Sequence, residues 1–69
     1  MEIKNEEHAR EMLRQWQEKP VPAQKREIRL AIEQLELNYM YYEQKGNDRG
    51  ITRSQLCMDI ISQYLATLE

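Results

Sequence analysis

The candidates for a nucleophile and base pair in this chain are a single cysteine, Cys57, and a single histidine, His8. A thiol beside an imidazole base could act in nucleophilic catalysis. Apolar periodicity instead places the two on different helices, with Cys57 on a broad apolar face where a thiol tends to stay protonated. His8 stands beside Glu7 and Glu11 in a predicted exposed first turn. We therefore expect Cys57 to be a core residue and His8 a solvated one.

Metal and acid–base sites are not predicted either. One cysteine and one histidine cannot supply the four ligands of a structural zinc site. General acid–base catalysis needs a perturbed pair of groups in a cleft, and three short helices cannot easily enclose one. Residues 46–50 match neither a phosphate-binding nor a calcium-binding loop. The sequence therefore predicts no enzyme activity, no cofactor, no metal and no small-molecule substrate.

Length and composition limit what the domain can be. Sixty-nine residues at 8.4 kDa predict one domain, residues 1–69, whose core alone supplies about 3–5 kcal/mol of stability. One cysteine cannot form an internal disulfide, so helix packing or self-association must add the rest. The net charge of -2 argues against broad nucleic-acid binding. No apolar run reaches the ~20 residues of a membrane span. A lone thiol is compatible with a reducing compartment, and we expect a cytoplasmic protein.

Prolines and glycines divide the chain at two places. Pro20 and Pro22 stand close together, as do Gly46 and Gly50, and these residue types are the strongest breakers of regular structure. The intervening segments predict an all-α fold of three helices, over residues 5–18, 22–45 and 52–68.

Local signals mark most of the predicted helix ends. Asn5 can cap the first helix, and Pro22 suits a first helical position. Gly46 suits the left-handed residue that closes a helix. Thr52 and Gln55 have the spacing of a capping box, which predicts that the third helix starts at Thr52. A connection of four to six residues makes the second and third helices an antiparallel hairpin, with the first helix folded across it as a small three-helix bundle.

The second helix carries two apolar stripes on opposite sides, at about 100° per residue. One stripe contains Ile28, Ala31, Ile32, Leu35, Tyr39 and Tyr42. The other contains Ala23, Leu30, Leu37 and Tyr41. The first helix offers only a short stripe of Ala9, Met12, Leu13 and Trp16. The third offers a broad face of Leu56, Cys57, Ile60, Ile61, Tyr64 and Leu68.

Two arrangements explain the second stripe. The first and third helices could pack on opposite sides of a central second helix, which leaves nothing exposed. Alternatively the stripe stays exposed and contacts another chain, since monomers rarely leave large apolar patches bare. The short stripe of the first helix favours the second explanation. An exposed stripe predicts a non-enzymatic regulator or inhibitor that binds a protein partner or itself, and we expect a homodimer. The predicted contact residues are Leu30, Leu37, Met40 and Tyr41, with Glu33 and Glu36 as a charged rim.

Residues 50–65 carry a resemblance that gives an alternative function. Ribbon-helix-helix repressors often show a small residue, an aliphatic residue, Ser or Thr, Arg and Ser before an amphipathic helix ending in Tyr-Leu. This chain has that order from Gly50 to Ser54, and Tyr64 and Leu65 follow at the end of the segment. The resemblance implies an intertwined dimer, a DNA-binding transcriptional regulator whose paired strands read the major groove. Residues 27–32 would then be the strand, and residues 33–48 the first helix of the motif.

Overall fold

Three helices make up most of residues 3–69, which are the residues that the computed structural model describes. They are α1 (Glu6–Trp16), α2 (Val21–Lys45) and α3 (Asp48–Leu68). Residues 3–69 contain no strand, so the predicted all-α three-helix bundle is confirmed. Within the same residues, none of the helices combines the length and the apolar character that crossing a bilayer would require.

The start of α1 and both ends of α2 follow the local signals in the sequence, whereas α1 ends at Trp16, two residues before the predicted end at residue 18. The Asn5 side chain accepts a hydrogen bond from the His8 amide at 2.7 Å, which confirms the predicted cap of α1. Gly46 ends α2 in the left-handed region at φ 68°, a conformation that glycine adopts without steric cost. Both ends of α2 therefore lie within one residue of their predicted positions.

The start of α3 differs from the prediction, because α3 begins at Asp48 and not at Thr52. The Asn47 side chain accepts from the Gly50 amide at 3.0 Å and thereby caps the helix. The Ile51 amide donates to the Asn47 carbonyl at 3.0 Å, so the helix already runs through Gly50. The predicted capping box at Thr52 is therefore wrong, and only two residues connect α2 to α3. An asparagine cap competes well with a threonine cap, and here the earlier one is used.

This difference gives the first prediction. We expect Asn47→Ala to lower the free energy of unfolding by about 1 kcal/mol, because the Gly50 amide loses its side-chain acceptor. Thr52→Ala is the matched control, and it should change stability by less than about 0.5 kcal/mol since Thr52 is an exposed helical residue. Urea unfolding followed by circular dichroism measures both. A larger loss of stability for Thr52→Ala than for Asn47→Ala would show that Thr52, and not Asn47, caps α3.

The central helix of the bundle is α3, which packs against both α2 and α1, whereas α1 and α2 approach each other at few points. This excludes the arrangement in which α2 is central. Buried apolar residues from all three helices and the N-terminal segment meet in one core, formed by Ile3, Ala9, Met12, Trp16, Ile28, Ala31, Leu35, Cys57 and Ile61. The core uses one face of α2 only, and the opposite face receives no helix from residues 3–69.

The buried line of α3 is narrower than the broad face that the sequence predicted. It consists of Gly50, Ser54, Cys57 and Ile61, at spacings of four, three and four residues. Leu56 lies about 100° from Cys57 around the helix and is 40% exposed, so its predicted place in the core is wrong. The small residues Gly50 and Ser54 let α2 approach α3 closely near the hairpin turn, where the Tyr42 ring lies over Gly50.

Gln24 is a buried polar residue that the sequence did not single out. Its side-chain amide donates to the Lys19 carbonyl at 2.7 Å, and its oxygen accepts from the Tyr64 hydroxyl at 2.5 Å. Buried polar groups are stable only when they are hydrogen-bonded, and Gln24 has a partner for both its donor and its acceptor. Gln24 thus links the start of α2 to the end of α3 through its hydrogen bond with Tyr64.

The strand implied by the resemblance to ribbon-helix-helix repressors is not present. Residues 27–32 lie inside α2, which continues without interruption to Lys45. The pattern of buried residues in this range is that of a helix, since Ile28 and Ala31 are buried while Arg29 and Leu30 between them are exposed. An alternating strand would have buried every second residue. The predicted strand, and a separate first helix over residues 33–48, are therefore wrong.

Candidate functional site

Cys57 lies in the core and is not placed for nucleophilic chemistry. Its side chain is fully buried between the helices. Burial raises the pKa of the Cys57 thiol, and the Glu6 carboxylate adds to the rise while Arg53 opposes it. A thiol with a raised pKa carries little thiolate at neutral pH. His8 is occupied near the start of α1, where its Nδ1 accepts from the Lys4 amide at 3.2 Å.

Some of the acidic residues form ion pairs at the surface. Glu11 accepts from Arg14 at 2.6 Å, and this guanidinium lowers the pKa of the Glu11 carboxyl through hydrogen bonding and charge. Lys19, between α1 and α2, pairs with Glu27 of α2 at 2.6 Å. Among residues 3–69, no three His, Cys, Asp or Glu side chains come together as metal ligands. These pairs are solvent-exposed, and such pairs contribute little to stability.

The outer face of α2, which we define as Leu30, Leu37, Met40 and Tyr41, is the strongest candidate for a functional surface. The exposed fractions are 59% for Leu30, 60% for Leu37, 55% for Met40 and 55% for Tyr41. These residues are exposed because Ile28, Ala31 and Leu35 turn the other side of the helix to the core. Exposed apolar residues gathered on one face are typical of interaction sites.

A hollow lies on this face between Leu30 and Leu37. Its volume is about 330 Å³. The residues that line it are Glu27, Leu30, Ala31, Glu33, Gln34 and Leu37. The two leucines are seven residues apart, so they lie two turns apart on the same side of α2 and form the two ends of the hollow. An apolar side chain from another molecule could enter between them.

Tyr41 contacts two of its neighbours on α2. Its ring meets the ring of Tyr42 edge to face, with centroids 5.7 Å apart and planes at 69°. The Lys45 ammonium lies 5.7 Å from the centroid of the Tyr41 ring, within cation–π range. Tyr42 in turn lies against Gly50 of α3. Contacts that restrict a side chain before binding lower the entropy that it loses on binding, so Tyr41 is a suitable anchor for a contact.

The structure groups five of the six predicted contact residues along the same side of α2 and places the sixth on its flank. Glu33 borders the hollow, whereas Glu36 is exposed but does not line it. The sequence interpretation missed Glu27 and Gln34. Their spacing of three and four residues from Leu30 was the signal that could have identified them, because such neighbours share a helix face.

Comparison with known proteins provides no relative from which a role for this face could be transferred. No family model, no curated protein and no solved structure matches the chain. The function proposed below therefore depends on the residues of α2 and on the physical chemistry of their exposure.

Proposed function

We propose that this protein is a non-enzymatic interaction module, a small regulator or inhibitor that binds another protein chain through the outer face of α2. The observation that carries the proposal is the exposure of Leu30, Leu37, Met40 and Tyr41 on one helix, each by more than half. The apolar side chains on the opposite side of the same helix are in the core. A helix with a second apolar side gains stability when a partner covers that side.

The binding would combine apolar burial with orientation by charge. Each Å² of apolar surface removed from water contributes about 25 cal/mol before the entropic cost of association is subtracted. Tyrosine and methionine are enriched at protein interfaces, and both are present on this face. Glu33 and Glu36 would lie at the rim, where charges act on orientation and association rate more than on affinity.

The alternative, a ribbon-helix-helix-like DNA-binding regulator, receives less support. Its DNA-reading element is a pair of strands, and residues 27–32 are helical. The net charge of -2 also lacks the positive excess that phosphate binding uses. The interaction module requires neither a strand nor a basic surface, so we retain it as the proposed function.

Serine substitution on the outer face tests this proposal and gives the second prediction. We expect Leu37→Ser combined with Tyr41→Ser to leave the domain folded in dilute solution, because both side chains are more than half exposed. The loss in the free energy of unfolding should be about 1–2 kcal/mol, since Tyr41 gives up its contacts with Tyr42 and Lys45. If the double variant unfolds, the outer face belongs to the fold and the proposal is wrong. Leu56→Ser is the matched control, since Leu56 is an exposed leucine on another helix.

A photoreactive amino acid in place of Gln34, beside the hollow, tests for the contact itself. We expect a discrete cross-linked product in cells, which contains either a second copy or a different protein. Leu37→Ser with Tyr41→Ser should abolish it, and Leu56→Ser should not. A photoreactive residue at Gln63, exposed on α3, is the positional control. Equal products from both positions, or none from Gln34, would contradict the proposal.

A further inference from the structure

We propose that the occupant of the outer face of α2 is a second copy of this chain, with the two α2 helices packed antiparallel. This inference rests on the proposed function, since it requires the outer face to be a contact surface. It adds the identity of the partner, the direction of the helices and the residues that meet. The observations that support it are the distribution of charge along α2, the position of its apolar side chains and the shape of the domain.

The charge of α2 changes sign along its length. The half up to residue 32 contains Lys25, Arg26 and Arg29 against Glu27, which is a net charge of +2. The half from residue 33 contains Glu33, Glu36 and Glu43 against Lys45, which is a net charge of -2. An antiparallel pair of identical helices sets the basic half of each against the acidic half of the other. A parallel pair would set like charges together, which costs free energy.

Charged residues near the outer face are free for such contacts. Arg26, Glu33 and Glu36 are exposed and form no salt bridge with any residue of the range 3–69. Arg26 lies about 40° from Leu30 around the helix, on the edge of the apolar stripe. By contrast, Arg29 already pairs with Glu69 of α3 at 3.0 Å. The basic half therefore presents Arg26 as its main charge beside the stripe.

The apolar residues are placed for antiparallel overlap along the whole helix. The 25 residues of α2 have their midpoint at Glu33, so the two Glu33 carboxylates lie near the symmetry axis, and their repulsion opposes part of the charge pairing between the outer turns. When two helices overlap fully about this point, position 30 of one lies opposite position 36 of the other. Leu30 then packs beside Leu37 of the second copy, and two-fold symmetry repeats the contact. Each leucine would enter the hollow that the other leucine helps to form.

The same register brings a cation to an aromatic ring. Position 26 lies opposite position 40, so Arg26 reaches Tyr41 of the second copy. The Tyr41 ring has Lys45 of its own chain 5.7 Å from the centroid and the Tyr42 ring against it edge to face, so part of its environment is present before association. Arginine stacks on aromatic faces more readily than lysine does. The pair would form twice in the dimer, once on each side of the symmetry axis.

The shape of the domain leaves this face accessible along its length. The molecule measures 38 × 19 × 18 Å, and α2 at about 1.5 Å per residue spans nearly the whole long dimension. Since α1 packs on α3, no helix of residues 3–69 lies across the outer face. A small domain with a core limited by its size gains stability from such pairing. Dimer formation would therefore add to the free energy of unfolding, which the small core of the monomer limits.

Disulfide trapping tests the direction of the helices and gives the third prediction. In the antiparallel pair, the two copies of position 34 lie about 3 Å apart along the axis, whereas the two copies of position 44 lie about 33 Å apart. We expect Gln34→Cys to form a disulfide-linked dimer on air oxidation and Gln44→Cys to form none. The unchanged chain is a second control, because Cys57 is buried. Equal trapping at both positions would contradict the antiparallel pair and overturn the proposal.

Sedimentation equilibrium across a concentration series measures the association. We expect a mass that rises from 8.4 kDa to twice that value, with Arg26→Glu weakening the dimer by about tenfold because two cation–π contacts are lost. Arg10→Glu makes the same charge change at an exposed site on α1 and should leave the dissociation constant unchanged. A chain that stays monomeric at all concentrations overturns self-association. The proposed function survives that result if the photoreactive residue at Gln34 still captures a different protein.

Discussion

Trp16→Ala is expected to leave the chain largely unfolded at 25 °C. Trp16 is 1% exposed and is the largest fully buried side chain of the core. Replacing a buried tryptophan with alanine costs about 3–5 kcal/mol through lost burial and the cavity left behind. A core of this size supplies about 3–5 kcal/mol in total, so the loss is comparable to the whole stability. Far-ultraviolet circular dichroism at dilute concentration, with and without urea, measures the result.

Trp16→Phe distinguishes the stability contributed by the apolar ring from the cost of its buried N–H group. The Trp16 Nε1 is buried without a hydrogen-bond partner among residues 3–69, and an unpaired buried donor costs free energy. Phenylalanine retains most of the apolar volume and lacks this donor, so we expect the variant to stay folded. Val21→Ala, at an exposed site, should change stability by less than about 0.5 kcal/mol. A folded Trp16→Ala variant with a full cooperative transition would show that the core does not depend on this side chain.

Gly50→Ala is expected to destabilise the domain although alanine is the better helix former. A Cβ at this position would lie 2.5 Å from Cγ of Tyr42 and 2.6–2.7 Å from the two adjacent ring carbons. Non-bonded carbon atoms prefer about 3.5–4.0 Å, so the ring or the α3 backbone would have to move. Overpacking of this kind costs about 1–3 kcal/mol. Urea unfolding of Gly50→Ala gives the magnitude.

The sign of this effect should reverse when the ring is removed. In a Tyr42→Ala background the contact is absent, and alanine is then favoured over glycine in a helix by up to about 1 kcal/mol. We therefore expect Gly50→Ala to be neutral or stabilising in that background. The difference between the two backgrounds is the coupling free energy of the pair. Destabilisation of equal size in both backgrounds would contradict a close contact between Tyr42 and Gly50.

The sequence by itself determined the number of helices, the start of α1 and, within one residue, both ends of α2. Asn5 and Gly46 act on amides and dihedral angles within a few residues, so their roles are visible without knowledge of the fold. The periodicity of α2 likewise identified Ile28, Ala31 and Leu35 as one side of a helix. The same periodicity identified Leu30 and Leu37 on the opposite side. These features are local, and the structure reproduces them.

The sequence offers two possible N-caps for α3 and does not decide between them. Asn47 and Thr52 are both good caps, and the sequence gives no measure of which one the chain uses. The earlier cap is compatible with Gly50 inside α3, where the missing side chain lets the Tyr42 ring approach. The choice is thus coupled to packing between helices, which a scan along the chain does not contain.

Only the tertiary structure decided which side of α2 remains exposed. An apolar stripe is equally suited to a helix of its own chain and to another molecule, because the hydrophobic effect depends on area and not on connectivity. The position of α1 on α3, and not across α2, left Leu30, Leu37, Met40 and Tyr41 uncovered. That position depends on contacts between residues far apart in sequence, such as those of Trp16 in the common core. Periodicity reports which residues share a side of a helix, whereas packing determines what that side touches.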